Sequence, residues 1–382
     1  MEKATDFDEI RPYHDEELLE VFEQLIEDLA FQKATSFIMP DIPFDMLAAK
    51  IRECKTKLDF QKAFGYEIMK KIAKSYTDGV SIDLSINSSN RAYTYISNHR
   101  DIILDAGFLS YLLVENGMDT VEIAIGDNLL VYPWIKRLVR INKSFIVQRA
   151  LTMRQMLESS ARMSRYMHYT IKEKKQSIWI AQREGRAKDS NDRTQDSVLK
   201  MLAMGGHGTV ISRLLNLNIV PLSISYEYDP CDYLKAQEFQ QKRDNPAYVK
   251  TTKDDLRNME VGLFGYKGKV HFQTTACIND KLKQIDINLP KNELFQVVSQ
   301  MIDKQIHLSY RIYAVNYIAL DLLNDSQDFN SNYTEKEKNN FLSYLNHQIE
   351  KIKIPNKDEK FLRKKMILMY ANPLINHLKA KE

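Results

Sequence analysis

Five short apolar runs, each rich in β-branched or aromatic residues, constrain the fold of this chain more than any other feature. They are AYTYIS (92–97), VEIAIG (121–126), KSFIVQ (143–148), SIWIA (177–181) and NIVPLSISYEY (218–228). Runs of this length, bounded by turn residues, read as buried strands. Between them lie stretches with helical spacing: DAGFLSYLLVEN (105–116), PWIKRLVRI (133–141), about 152–175, and 193–217. Strands alternating with helices predict an α/β fold, a mixed sheet flanked by helices on both faces. KVHFQTT (269–275) is expected to add an edge strand.

Helical additions are expected on both sides of this core. Leu18, Leu19, Phe22, Leu25, Ile26 and Leu29 recur at helical spacing within 15–76, and the two prolines of MPDIPFD (39–45) separate helices there. SINSSN (85–90) reads as a loop. From about 290 the pattern is helical to the end, with one long helix over 292–323 and two charged helices at 334–352 and 357–380. The expected organisation is an N-terminal helical region (1–80), an α/β domain (81–290) and a C-terminal helical region (291–382).

Charge and cysteine content exclude several classes. The 54 basic residues nearly balance the 51 acidic ones, and a net charge of +3 gives no footprint for nucleic acid. Cys54, Cys231 and Cys277 are few, scattered and without metal-ligand spacing, so neither a disulfide framework nor a metal site is expected. The acidic start MEKATDFDEI lacks the blocks of a signal peptide, and no run reaches the roughly 20 apolar residues of a membrane span. The expected location is cytoplasmic. SARMSRYMHYTIKEKKQ (160–176) and the basic C-terminus have two readings: peripheral contact with the inner face of a membrane or an acidic carrier protein, or ordinary helices with one buried stripe.

The stretch SNHRDIILD (97–105) carries the chemistry. His99 follows a strand at its C-terminal end, where open α/β sheets place ligand sites. A neutral imidazole can take a hydroxyl proton near neutral pH, and a carboxylate can fix its tautomer. Asp105 is the expected partner, with Asp101 as the alternative; Asp101 is also placed to cap the following helix. The competing reading is a plain surface loop or helix cap. GGHG (205–208) lacks both the P-loop ending and dinucleotide-fold spacing, and reads as a break between helices.

Four segments in order resemble the sequence blocks of the glycerolipid acyltransferases, the glycerol-3-phosphate and lysophosphatidate acyltransferases. NHR (98–100) is similar to the first block, whose aspartate stands five positions after the histidine; here Leu104 occupies that position and Asp105 comes one later. KSFIVQR (143–149) resembles the second block, with Phe145 and Arg149 as counterparts, Lys143 in place of glycine and one inserted residue. WIAQREGRAKD (179–189) resembles the third, supplying Glu184, Gly185 and Arg186, with Arg183 and Lys188 as further cations; Glu184 and Gly185 stand one position too close to Arg186. VPLSISYE (220–227) resembles the fourth, with Pro221.

The resemblance covers about 90–230 and implies a glycerol-3-phosphate acyltransferase-like fold. It implies acyl transfer from an acyl-CoA or acyl carrier protein to glycerol-3-phosphate in phospholipid synthesis, with His99 as base, arginines on the phosphate and no bound cofactor. Arginine suits that role because its planar fork donates two hydrogen bonds to a phosphate. A lysophosphatidate or lyso-aminolipid acceptor is the near alternative. A non-catalytic lipid-binding relative is the alternative of a different class.

Overall fold

A computed structural model describes residues 4–85, 91–149 and 152–382. All of SINSSN except Ser85 lies outside the described residues. The α-helices of the N-terminal part are α1 (Leu18–Ile26), α2 (Leu29–Ile38), α3 (Phe44–Glu53), α4 (Lys57–Phe60) and α5 (Glu67–Tyr76). The α/β elements follow: β1 (Val80–Asp83), β2 (Thr94–Ser97), α6 (Leu104–Glu115), β3 (Glu122–Gly126), α7 (Pro133–Ile141), β4 (Ser144–Val147), α8 (Met153–Lys172), β5 (Ile178–Ala181), α9 (Asp196–Leu202), α10 (Val210–Leu215), β6 (Ile219–Tyr226), α11 (Asp232–Asp244), α12 (Thr252–Phe264) and β7 (Val270–Thr274). The chain ends in α13 (Asn279–Leu282), α14 (Lys291–Leu308), α15 (Ala314–Asn324), α16 (Glu335–Glu350) and α17 (Glu359–Lys381). Among the described residues no helix is long and apolar enough to cross a membrane.

Among the described residues one mixed sheet of seven strands runs in the order β1-β7-β6-β2-β5-β3-β4. The block from β6 to β4 is parallel; β7 runs antiparallel to β6 and parallel to β1. Parallel strands are buried on both faces, which accounts for their unbroken apolar runs. All eight residues of β6 are buried. Neighbouring residues on a strand serve opposite faces. Tyr95 packs into a core with α1, α3 and α6, while Ile96 packs into a second core with α8, α9 and α14. A third core joins α11 to α15, α16 and α17 around Phe341 and Tyr370.

Proline is rare in a central strand, because it removes a ladder donor. Pro221 sits where that loss is small. Its carbonyl accepts from the Thr275 N–H at 3.0 Å, so its nitrogen also faces the β7 side, just beyond the last paired residues Leu222 and Thr274.

Three sequence expectations are corrected. KVHFQTT is not at the edge: β7 lies between β6 and β1, and the edge is β1, a four-residue strand with no sequence prediction. The helix over 292–323 is two helices. Between them the chain turns away from helical bonding so that Arg311 N–H reaches Ser225 Oγ (3.0 Å) and the Tyr310 hydroxyl reaches Asp192 (2.5 Å). Leu19 and Leu29, expected on the apolar stripe, are 71% and 70% exposed, while Leu18, Phe22, Leu25 and Ile26 are buried. GGHG is a helix break, as read: Gly205 donates to Ser164 Oγ at 2.7 Å, and a Cβ there would meet the α8 backbone at 2.8 Å.

Candidate active site

The parallel strands put their C-terminal ends on one edge of the sheet. There the loops after β2, β3, β4 and β5 carry His99, Asp127, Arg149 and the 182–195 segment. This edge is the expected ligand side of an open α/β sheet.

The β2 loop is built around one carboxylate oxygen. Asp105 Oδ2 accepts from His99 Nδ1 at 2.8 Å, from the Arg100 N–H at 2.6 Å and from the Asp101 N–H at 3.1 Å. Asp105 lies in the first turn of α6, where the helix dipole also favours negative charge. An ionised carboxylate only accepts, so Nδ1 carries the imidazole proton and Nε2 keeps its lone pair. The His99 side chain retains 14% exposure while Asp105 keeps 1%. The Trp179 ring meets the imidazole edge-on at 5.7 Å, and its indole N–H is tied to Ser97 Oγ at 3.0 Å.

Neighbouring residues hold that loop still. The Asn98 side-chain amide exchanges two hydrogen bonds with the Ile224 backbone, at 2.9 and 2.8 Å, and so extends the β2–β6 pairing one residue past the strand. The Arg100 guanidinium is buried and grips both oxygens of Asp192, at 3.2 and 2.6 Å. Burial pulls the Arg100 pKa down, but Asp192 with Tyr310, Asp229 and Asp105 together outweigh it and hold the group above the ordinary arginine value.

Asp101 takes the capping role instead. Its Oδ1 accepts from Ile103 and Leu104 N–H at 2.9 and 2.8 Å, which starts α6. Burial, with the nearby Asp105 charge, pushes its carboxyl pKa up. The other oxygen lies against α12: a Cβ on Gly262 would sit 2.1 Å from Asp101 Oδ2.

The remaining residues singled out from sequence divide into two groups. Arg186 lies in the electrostatic neighbourhood of Asp101, Cys231 and Asp229, and its Nη2 donates to Asn258 Oδ1 on α12 at 2.8 Å. Its Nη1 is buried without a partner among the described residues. Arg149 stays one-third exposed, crosses close over Gly126 and approaches Glu184 at 3.4 Å. Its strand, β4, is three spacings from β2, about 14 Å at ~4.8 Å each. The Glu184 contact therefore links the β4 and β5 loops across the edge. Gly185 has φ +66°, which fits glycine at the tip of the β5 loop.

Phe145 and Lys188 are corrected. Phe145 is fully buried, with its ring 5.4 Å from that of Tyr166 in the second core, and is a packing residue rather than a substrate contact. Lys188 is paired with Glu238 of α11, which occupies its charge. Pro221 serves the sheet, as described above. Arg183 makes no salt bridge among the described residues, and its Nε is buried without a partner.

Two contributors had no sequence prediction. Trp179 sits inside an ordinary strand run. Tyr226 is buried, and burial followed by the Asp105 and Asp101 charges drives its phenol pKa well up. A polar-tipped aromatic at the end of the best strand is the one signal that could have drawn attention to it.

A proton acceptor fixed by a buried carboxylate, with arginines on neighbouring strand ends, is an arrangement for activating a hydroxyl near an anionic group. Residues 80–225 match the family model for acyltransferases, a stretch that runs from β1 to the end of β6. That match marks the region from β1 to β6 as acyltransferase-like. Among solved structures the chain is similar to the 1-acyl-sn-glycerophosphate (LPA) acyltransferase, PlsC, from Thermotoga maritima, at 11% identity and a TM-score of 0.39, over 77% of this chain and 96% of that one. No curated protein matches.

Proposed function

We propose that this chain moves a fatty acyl group from an acyl thioester, acyl-CoA or an acyl carrier protein, to a hydroxyl of glycerol-3-phosphate, with His99 as general base. The observation that carries the reading is the 2.8 Å bond from His99 Nδ1 to Asp105, which leaves Nε2 as the proton acceptor at a partly open strand end. Nε2 takes the acceptor's hydroxyl proton as the oxygen attacks the thioester carbonyl. The tetrahedral intermediate collapses with cleavage of the C–S bond, and the imidazolium returns the proton to the leaving thiolate. Asp105 stabilises the imidazolium throughout. No acyl-enzyme is required. Arg149 is the accessible cation on the same edge and is the proposed phosphate ligand; Arg183 and Arg186 add positive potential from the β5 loop.

A lysophospholipid acceptor is the second reading. It is favoured by a rim of exposed apolar side chains on the same edge: Met153, Met156 and Leu157 at the start of α8, with Val131 and Tyr132 after β3. Arg149 lies between these two segments in the chain and is tied to the β3 loop through its N–H to Asp127 at 3.1 Å. Such a rim suits peripheral contact with a membrane surface.

The test offers the purified chain acyl-CoA and acyl carrier protein donors with glycerol-3-phosphate and a panel of lysolipids, and identifies products by mass spectrometry. Transfer that His99→Ala abolishes, with folding intact, is the expected result. A wild type that acylates none of these acceptors from either donor overturns the reading.

A further inference from the structure

A cleft lies among α11, α12 and the segment between α16 and α17. Its volume is about 630 Å³, within the usual range for small-ligand sites. Lys250, Lys253, Arg257, Lys351 and Lys353 line it, and Tyr248 contributes an aromatic ring. Among the described residues, Lys253, Arg257 and Lys353 form no salt bridge or side-chain hydrogen bond, and all three are exposed. Three carboxylates are also present, two of them already engaged. Glu238 is paired with Lys188 and Lys242, and Asp254 accepts from Thr251 N–H and Oγ1 at the start of α12. Asp254, whose charge is felt by Arg257, and Glu260 are the carboxylates left to oppose Lys253, Arg257 and Lys353, so the cations outnumber them. The N-terminus of α12, a 13-residue helix, adds its own positive end.

Helix α12 connects this cleft to the site. Arg257 and Asn258 face it, Asn258 also holds Arg186, and Gly262 abuts Asp101. Asn258 and Gly262 are four residues apart, about 6 Å along a helix. The cleft and the β2 loop therefore share α12 as a common wall.

The geometry points to a donor subsite: the cleft takes the phosphorylated nucleotide end of an acyl-coenzyme A. Free cations match the phosphates, Tyr248 offers a stacking surface for the base, and the thioester arm passes along α12 toward His99. The concave shape and volume favour a small polyanion over an acidic carrier protein, which would need a broad open face. This inference rests on the acyltransferase reading above.

Two measurements on the full chain test it. Coenzyme A is titrated calorimetrically into wild type and into a variant carrying Lys253→Glu, Arg257→Glu and Lys353→Glu. KM for acyl-CoA is measured in parallel. The expected result is a Kd and a KM raised about tenfold or more, with kcat within about twofold and the acceptor KM unchanged. Arg257→Gln alone, with a smaller rise of the same sign, covers the case in which the triple variant folds poorly. An unchanged Kd for coenzyme A overturns the inference. So does a wild type that ignores coenzyme A and accepts only acyl carrier protein, although the acyltransferase reading then stands. Coenzyme A binding in a wild type that transfers to no acceptor has the opposite meaning: the cleft is supported and the proposed reaction fails.

Discussion

The β2 loop and the α11–α12 excursion both hold buried carboxylates and cations, but they use them differently. In the loop, three donors converge on one oxygen of Asp105, and the result is a directed imidazole with one nitrogen left open. In the buried part of the excursion, each charged group is engaged within the protein. Asp229 meets Lys235, Glu238 meets Lys188, and Lys267 is held by the carbonyls of Leu263 and Gly265. The first arrangement leaves a reactive group unsatisfied, as catalysis requires. The second forms a packed support against which the first is held. Gly262 against Asp101 and Asn258 on Arg186 are where the two regions meet.

The largest effect should come from breaking the asymmetry of the loop. Asp105→Asn keeps an acceptor oxygen but can also donate, so it permits the wrong imidazole tautomer; kcat should fall by roughly 10³–10⁴-fold. Steady-state kinetics with a thermal melt would check this. Asp101→Asn should cost far less activity, because Asp101 caps α6 and does not touch His99. Equal losses in the two variants would mean that Asp101 and Asp105 do not divide into cap and base partner. Next in size is Arg149→Ala. As the accessible cation it should raise KM for a phosphate-bearing acceptor by about 10- to 100-fold with little change in melting temperature. An unchanged KM would move the phosphate ligand to the β5 loop.

The legibility of these regions in sequence follows from how each buries its residues. The parallel strands were readable because both faces are covered, which leaves near-continuous apolar runs. His99 and Asp105 were readable because chemistry fixes their residue types and their closeness in the chain. The register of Asp105, one place late, is accommodated by the turn that also lets Arg100 and Asp101 N–H reach the same oxygen. The excursion was silent for the converse reason. Helix α11 buries Lys235, Glu238 and Gln240 through ion pairs and hydrogen bonds, so it shows no apolar stripe. β1 is four residues long with alternate positions exposed, too short to separate from a loop. Phe145 shows the opposite error: a family motif marked it as a site residue, while its place on a buried strand committed it to the core.

The contact between wall and loop gives the third effect. Gly262→Ala places a methyl group 2.1 Å from Asp101 Oδ2, which the capping bonds hold in place, so α12 must shift. Overpacking of this kind costs about 1–3 kcal/mol. Urea denaturation should show that loss together with reduced kcat. Stability lost with kcat intact would mean that the wall supports the fold without positioning the base.

The smallest effect is a pH dependence confined to the wall. Burial pushes the Lys267 ammonium down to about 8, below its ordinary value of 10.5. Between those two values the unfolded chain binds more protons than the native one, so stability rises with pH across the window; the cost of burying the charge is greatest below pH 8. The rise between pH 8 and 9 should be roughly 1 kcal/mol. Lys267→Met should flatten that segment relative to wild type in urea denaturation at the two pH values. The kcat of the His99 step should be unaltered over the same interval, since Lys267 lies in the wall and not at the base. A parallel change in kcat would show that the charge on the wall is felt at His99, and the two regions would then act as one site.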